Sequence, residues 1–177
     1  MRFFTADLHF GHRSIIEYCR RPFADRDSMT EGLIERWNKV VSNNDTTYIA
    51  GDLSFYGTGK TKEILARMNG EKILIRGNHD DVKTDEKAKS LGMLSVSDSM
   101  AIAIGDEMFN ICHYPYHGDH TEKERFTERR LPNDGRWLIH GHVHSEWQVF
   151  DKQINVGVDV WDWAPISEAD ILHIIQR

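Results

Sequence analysis

The stretch Ile73-Leu74-Ile75-Arg76-Gly77-Asn78-His79-Asp80 reads as a buried strand that stops at a turn and delivers three polar residues to the rim of a sheet. Three consecutive apolar residues, two of them β-branched, make the strand, and Gly77-Asn78 breaks it. The carboxyl end of a strand is where open α/β sheets place their ligands. Alone, Asn78, His79 and Asp80 read equally well as a polar turn whose asparagine caps a helix. Four other stretches shift that balance, because each sets polar residues at the end of its own apolar run: Asp7-Leu8-His9, Gly51-Asp52, His113-Tyr114-Pro115 and Gly141-His142-Val143-His144.

Upstream of this stretch the chain alternates strand and helix. Phe3-Phe4-Thr5-Ala6 is a short strand ending at Asp7. In extended backbone, residues i and i+2 point to one side, so Asp7 and His9 share a face. A carboxylate paired with an imidazole suits a divalent transition metal. Residues 14–20 form a helical turn or two, closed by Arg21-Pro22. Asp27-Ser28 offers a cap for a helix over 29–41, whose apolar positions Met29, Leu33, Ile34, Trp37, Val40 and Val41 follow helical spacing. Residues 46–50 form the next strand and deliver Gly51-Asp52, and an amphipathic helix over 61–68 returns the chain to the strand at 71–76. This βαβαβ order implies parallel strands with right-handed crossovers, so all three strand ends lie on one edge. Gly57-Thr58-Gly59-Lys60-Thr61 lacks the spacing of a phosphate-binding P-loop.

Beyond Asp80 the pattern changes. Residues 85–91 make a short charged helix. Residues 101–104 and 107–112 form a hairpin with Gly105-Asp106 as its turn, and His113 stands at the end of its second strand. Pro115 stops that strand from continuing in a sheet interior. Residues 117–130 carry Arg125, Arg129 and Arg130 at helical spacing and read as a solvated helix, with a basic cover over an anionic substrate as the sharper alternative. Residues 137–140 are another strand, ending in Gly141-His142-Val143-His144, whose histidines at i and i+2 again share a face. Residues 147–150 and 153–156 form a hairpin around Asp151-Lys152, and 169–175 reads as a final strand. The second half is therefore mostly antiparallel or mixed. Two sheets face to face with helices outside give an α/β fold, a four-layer αββα sandwich with mixed sheets. No linker is expected, so residues 1–177 read as one domain.

Composition narrows the function. A formal charge of −6 argues against a general nucleic-acid or membrane-surface binder, which would carry a basic surface. The N-terminus lacks the apolar core of a signal peptide, and no apolar run approaches membrane-spanning length. Two cysteines, Cys19 and Cys112, fit buried thiols in a reducing compartment, so a cytoplasmic protein with no membrane partner is expected. Ten scattered histidines point toward metal chemistry.

Taken in order, Asp7-x-His9, Gly51-Asp52, Gly77-Asn78-His79-Asp80, His113 and Gly141-His142-x-His144 resemble the complete motif set of the calcineurin-like metallophosphoesterase superfamily, over residues 7–144. The Cys112-His113-Tyr114-Pro115 and Asn155-Val156-Gly157-Val158-Asp159 stretches are similar to its small bacterial and phage members. The resemblance implies an αββα sandwich and a binuclear, metal-dependent phosphoric ester hydrolase. It implies that Asp7, His9, Asp52 and His144 hold one divalent ion and that Asp52, Asn78, His113 and His142 hold the other, with Asp52 bridging. Such a pair polarises the phosphoryl oxygens and supplies hydroxide at neutral pH. Two divalent ions against two carboxylates leave a positive pocket, which suits a phosphate ester. His79 is the implied general acid toward the leaving oxygen, with Asp80 orienting its imidazole. Mixed nitrogen and oxygen ligands without thiolate fit Mn, Fe, Zn, Ni or Co, of which Mn is favoured.

The expected partner is a small phosphate ester or nucleotide, a phosphodiester or cyclic nucleotide ahead of a monoester; nucleic acid is not favoured. His12, Arg13 and His117, with the arginines of 125–130, are candidates for substrate contact. His140 and His173 read as structural. The cluster Trp161-Asp162-Trp163-Ala164-Pro165 reads as packing, with base stacking as its alternative. Two rivals stand beside the phosphoesterase: a catalytically weak metal-binding scaffold on the same fold, and a zinc hydrolase of the metallo-β-lactamase type, whose dense His-x-His-x-Asp-His signature is absent.

Overall fold

Phe3 and Leu74 are buried on one side of a sheet and Phe4 and Ile75 on the other, so both faces are dry and the strands carrying them read as unbroken apolar runs. These strands are β1 (Arg2–Thr5) and β3 (Glu71–Ile75), with β2 (Thr46–Ile49) between them, all parallel in the computed structural model, which describes residues 1–176. β4 (Ser95–Ser97) extends the sheet parallel to β3, and β10 (Ile166–Ser167) closes the other edge antiparallel to β1. The second sheet has the order β5 (Ser99–Ile104), β6 (Glu107–Cys112), β7 (Trp137–His140), β9 (Gln153–Asn155) and β8 (Val149–Phe150). It is mixed, because β5–β6 and β8–β9 are antiparallel hairpins while β6–β7 and β7–β9 are parallel.

Four helices cover the outer face of the first sheet: α1 (Ser14–Tyr18), α2 (Arg26–Val40), α3 (Thr58–Arg67) and α4 (Asp85–Ser90). Ile15, Met29, Leu33, Trp37, Ile64 and Ala88 pack there against Phe3, Ile49 and Leu74. A second core lies between the sheets, where Phe4, Ala6, Ala50 and Ile75 meet Ile104, Phe109, Ile111, Ile139 and Ile154. The result is the expected α/β sandwich of two mixed sheets. Its outer layer over the second sheet is thin: Tyr116, Phe126 and Leu131 from the coil pack with Cys112, Tyr114 and Leu138.

Three local expectations are corrected. Residues 169–175 are not a strand but lie within a helix, α5 (Glu168–Ile175), which packs Ile171 beside β1 and β10. Its β-branched residues imitate a strand, but the Ser167/Asp170 capping box starts a helix and Ile171, Ile174 and Ile175 fall on one helical face. α2 begins earlier than 29, because Asp25 is its cap and accepts the Ser28 N–H at 2.8 Å while Ser28 Oγ accepts the Asp25 N–H at 3.1 Å. Residues 117–130 are not a solvated helix. They form coil with one 3-10 turn, Thr127–Arg129, because the Asp119 carboxylate takes the backbone N–H groups of His120 and Arg125, each at 2.8 Å, in place of a helical ladder.

Candidate metal centre

β1, β2 and β3 end on one edge, and the chain beyond each end is held against its neighbour by backbone hydrogen bonds. Asp7, His9 and Phe10 donate in turn to the carbonyls of Gly51, Asp52 and Leu53 at 2.9–3.1 Å. Asp80 ties the third end in, since its carboxylate accepts the N–H groups of Asp52, Leu53 and Gly77 at 2.8–2.9 Å. The Asp80 oxygens thereby fix the ends of β2 and β3 to one another. Glycine is required where these ends touch. A side chain at Gly51 would stand 2.4 Å from His113 Nδ1, one at Gly77 2.2 Å from Asp52 Oδ1, and one at Gly141 2.7 Å from Asp7 Oδ2.

Asp7, His9, Asp52, His142 and His144 all have positive φ, between 50° and 72°. The backbone at these positions is therefore left-handed, and the extended-chain argument for Asp7–His9 and His142–His144 does not describe how they are aimed. A non-glycine residue held there costs of order 1–3 kcal/mol, and such strain gathers at functional sites.

Asp7, His9 and His144 offer ligand atoms within 4.8 Å of one another, as do Asp7, Asp52 and His113. Asp52 Oδ2 lies between the two sets, 3.5 Å from His9 Nε2 and 3.6 Å from His113 Nε2. Its other oxygen accepts the His79 N–H at 3.0 Å. His113 Nδ1 donates to the Ala50 carbonyl at 2.8 Å, which leaves the lone pair on Nε2, and that lone pair faces Asn78 Oδ1 at 3.1 Å. Acceptors converging on one point repel unless a cation stands among them. Asp7 Oδ1 and both ring nitrogens of His9 are likewise buried without a hydrogen-bond partner. Buried polar groups are seldom left so. Oxygen and imidazole donors in this arrangement fit borderline divalent ions.

Charge at the site is set by burial and by opposed partners. Burial pushes the Asp7 carboxyl up to about 6, against the pull of His144 and His113. Burial lowers His9 well below the usual histidine range, and burial with His113 lowers His142 to about 2, so both rings are neutral and able to ligate. Burial would lower His144 as well, but Asp7 and a hydrogen bond to Asp159 outweigh it and raise His144 to about 11. A proton there occupies the role a cation would take.

Sequence reasoning missed the support behind these residues. Asp159 Oδ2 accepts from His144 Nδ1 at 3.2 Å, and Arg21 clamps Asp159 at 2.7 and 3.0 Å. The same guanidinium donates to the carbonyls of Asp7, at 2.7 Å, and Leu8, at 3.0 Å. Cys19 Sγ lies within the same 4.8 Å grouping as His144 and Asp159. Phe55 was also missed: it stacks on His12 at 4.2 Å and lies 4.8 Å from the His79 ring. No sequence signal marked Arg21, which read only as a helix stop; the Asn-Val-Gly-Val-Asp stretch did contain Asp159.

Asn78, His79, Tyr114 and Arg129 line a cleft of about 700 Å³, and the His79 side chain, 46% exposed, stands with Nε2 4.0 Å from Asp52 Oδ2. His12 is half-buried beside Phe55 and Arg13 is exposed at the start of α1. His117 Nε2 meets Asp151 at 2.9 Å and its ring packs on Phe150, which holds it to the β8–β9 hairpin. His140 is fully buried, donates to the Gly141 carbonyl at 2.7 Å and is lowered by burial to about 3. Trp161 donates to the Asn155 carbonyl and packs in the inter-sheet core, and Trp163 packs with Phe23. Among the described residues no helix is long and apolar enough to cross a membrane.

The profile of calcineurin-like phosphoesterases matches residues 3–146. The chain is 35% identical to an uncharacterized protein of Methanocaldococcus jannaschii, over 99% of this chain and 91% of that one. It is 35% identical to the gene 66 protein of Mycobacterium phage L5, over 89% of this chain and 86% of that one. A crystal structure of a protein of unknown function from Aquifex aeolicus superposes with a TM-score of 0.79 at 28% identity, covering 98% of each chain.

Proposed function

The chain belongs to the calcineurin-like phosphoesterase family, and from that premise we propose that residues 1–177 form one phosphoesterase domain that hydrolyses phosphodiesters, nucleotide diesters among them, with two divalent ions held by Asp7, His9, Asp52 and His144 on one side and Asp52, Asn78, His113 and His142 on the other. The observation that carries the reading is the place of Asp52 Oδ2, 3.5 Å and 3.6 Å from imidazole nitrogens of the two sets. Mn is the favoured ion.

Bound divalent ions polarise phosphoryl oxygens and lower the pKa of a water. The chain's own residues supply the rest. Asp7 and Asp52 provide the negative charge that retains the ions, and Asn78 adds an oxygen without adding charge. Asp80 holds Asp52 by its backbone, so the shared carboxylate keeps its place. His79 stands at the cleft mouth within reach of a leaving oxygen and delivers the proton that an alkoxide requires. His12 with Phe55 makes a flat wall beside it.

The preference for a diester over a monoester is part of this proposal: Arg76 and Lys83 on the cleft wall are paired with Asp98 and Asp81, while Arg129 donates to the neutral Tyr114 hydroxyl. Assay of the Mn²⁺-loaded protein against p-nitrophenyl phosphate, bis-p-nitrophenyl phosphate and 2′,3′- and 3′,5′-cyclic nucleotides tests the reading. Higher kcat/KM on the diesters is expected; a preference for the monoester would overturn the diester assignment, and no turnover with two ions bound would overturn the enzyme.

A further inference from the structure

We propose that Asp119 is a positioning residue for the second ion: its carboxylate backs the His142 imidazole and leaves the opposite ring nitrogen for the ion shared with Asn78 and His113. The inference rests on the two-ion reading above. Asp119 Oδ2 lies 3.5 Å from His142 Nε2, and the Asp119 side chain is completely buried although it belongs to a coil at the molecular surface. His142 Nε2 is itself buried and makes no hydrogen bond, so this carboxylate is the acceptor at hand for an N–H there. Placing the hydrogen on Nε2 fixes the tautomer whose Nδ1 lone pair can ligate.

The carboxylate is rigidly placed. It accepts the N–H groups of His120 and Arg125 at 2.8 Å, and the Arg125 and Arg130 guanidiniums approach it at 3.4 and 3.5 Å. The rings of His113, Tyr114, His120 and Phe126 stand 5.2–5.5 Å from the His142 ring and limit its rotation. The coil over 117–130 is thus folded around one acid whose Oδ2, besides taking the Arg125 N–H, faces a proposed ligand. Asp119, His120 and His142 do not make a separate ion site, because an Arg125 nitrogen 2.5 Å from His120 Nε2 already places positive charge there. The arrangement parallels Asp159 with His144, where an arginine also holds the acid. Each histidine of the Gly-His-x-His stretch therefore has an arginine-bound aspartate behind it.

The test is Mn²⁺ binding by calorimetry, with the low-temperature electron paramagnetic resonance signal of a coupled Mn pair as a second readout. It compares wild type with Asp119→Ala, Asp119→Asn, His142→Ala and the double variant Asp119→Ala/His142→Ala. Asp119→Ala is expected to weaken the second ion by about 10–100-fold, to lose the coupled signal at limiting Mn²⁺, and to leave the first ion unchanged, with a lower melting temperature of the ion-free protein because the coil folds around this acid. Asp119→Asn should fall between, and Asp119→Ala should add nothing in the His142→Ala background. Two ions at wild-type affinity in Asp119→Ala would overturn the proposal, as would equal weakening of both ions or additive losses in the double variant. A wild-type protein that fails to hold two ions would overturn the two-ion reading itself, and this proposal with it, before any variant is compared.

Discussion

Around Asp7, His9 and His144 the supporting contacts come from the interior. Arg21 and Asp159 have side chains 0% and 1% exposed, and between them they hold His144 and the carbonyls of Asp7 and Leu8. Around Asn78, His113 and His142 the support comes from the Ala50 carbonyl and from the coil over 114–130 that borders the cleft. The first set is built from groups that must be placed correctly for the core to close at all. The second is completed by a surface segment in which Arg125 is 41% exposed while Arg130 is buried against Asp119. Stability and ion binding should therefore be coupled more tightly on the first side than on the second.

The largest effect is expected where the two sides share a group. Asp52→Asn should release both ions together and reduce diester hydrolysis to the level of a blank, whereas His9→Ala and His113→Ala should each deplete one ion first. Elemental analysis of the purified variants decides it, and a full pair of ions in Asp52→Asn would end the bridging assignment.

His79 sharpens the comparison from outside, since it belongs to neither set. His79→Ala is expected to cost about 10²–10⁴-fold in kcat on a nucleotide diester, whose alkoxide needs a proton, and much less on bis-p-nitrophenyl phosphate, with both ions retained. Equal losses on the two substrates would remove His79 as the acid without touching the ion assignment.

Next in size is the cost of breaking the buried side. Arg21→Ala leaves Asp159 buried without its cation and should destabilise the protein by about 3–5 kcal/mol in chemical denaturation. Arg125→Ala, on the exposed side, should cost about 1 kcal/mol or less. Similar values for the two would erase the distinction drawn between the sides.

The smallest expected effect is a pH slope. In ion-free protein burial favours neutral His144, but Asp7 and Asp159 outweigh it and hold the proton on to about 11, above the ordinary 6.5. A folded chain that binds the proton more tightly than the unfolded chain gains stability that is complete below about pH 6.5 and is lost as the pH rises toward 11. The melting temperature of chelator-treated protein should therefore fall between about pH 7 and about pH 9. Asp159→Asn should flatten that slope, and a flat wild-type profile would discard the Asp7–His144–Asp159 coupling.

The parallel half of the fold was legible because strands buried on both faces leave continuous apolar runs and their ends are marked by Gly51 and Gly77. Residues 169–175 misled because isoleucines satisfy both periods, and only the cap at Ser167 distinguishes them. The coil over 117–130 misled for another reason: its charges do not face water in a helix but converge on Asp119, a long-range outcome with no local signature. Arg21 was illegible for the same cause, since its partner Asp159 lies 138 residues away.

The order of motifs, from Asp7-x-His9 to Gly141-His142-x-His144, by itself determined the family and the kind of ligand atoms the chain can offer, because residue chemistry and strand-end position are local properties. The direction in which those atoms point was decided only by the tertiary structure. Left-handed backbone at Asp7, His9, Asp52, His142 and His144 is unfavourable for any isolated segment, and it persists here because contacts between distant segments over-determine it: Gly51 against His113, Asp80 across two strand ends, and Arg21 and Asp159 behind His144.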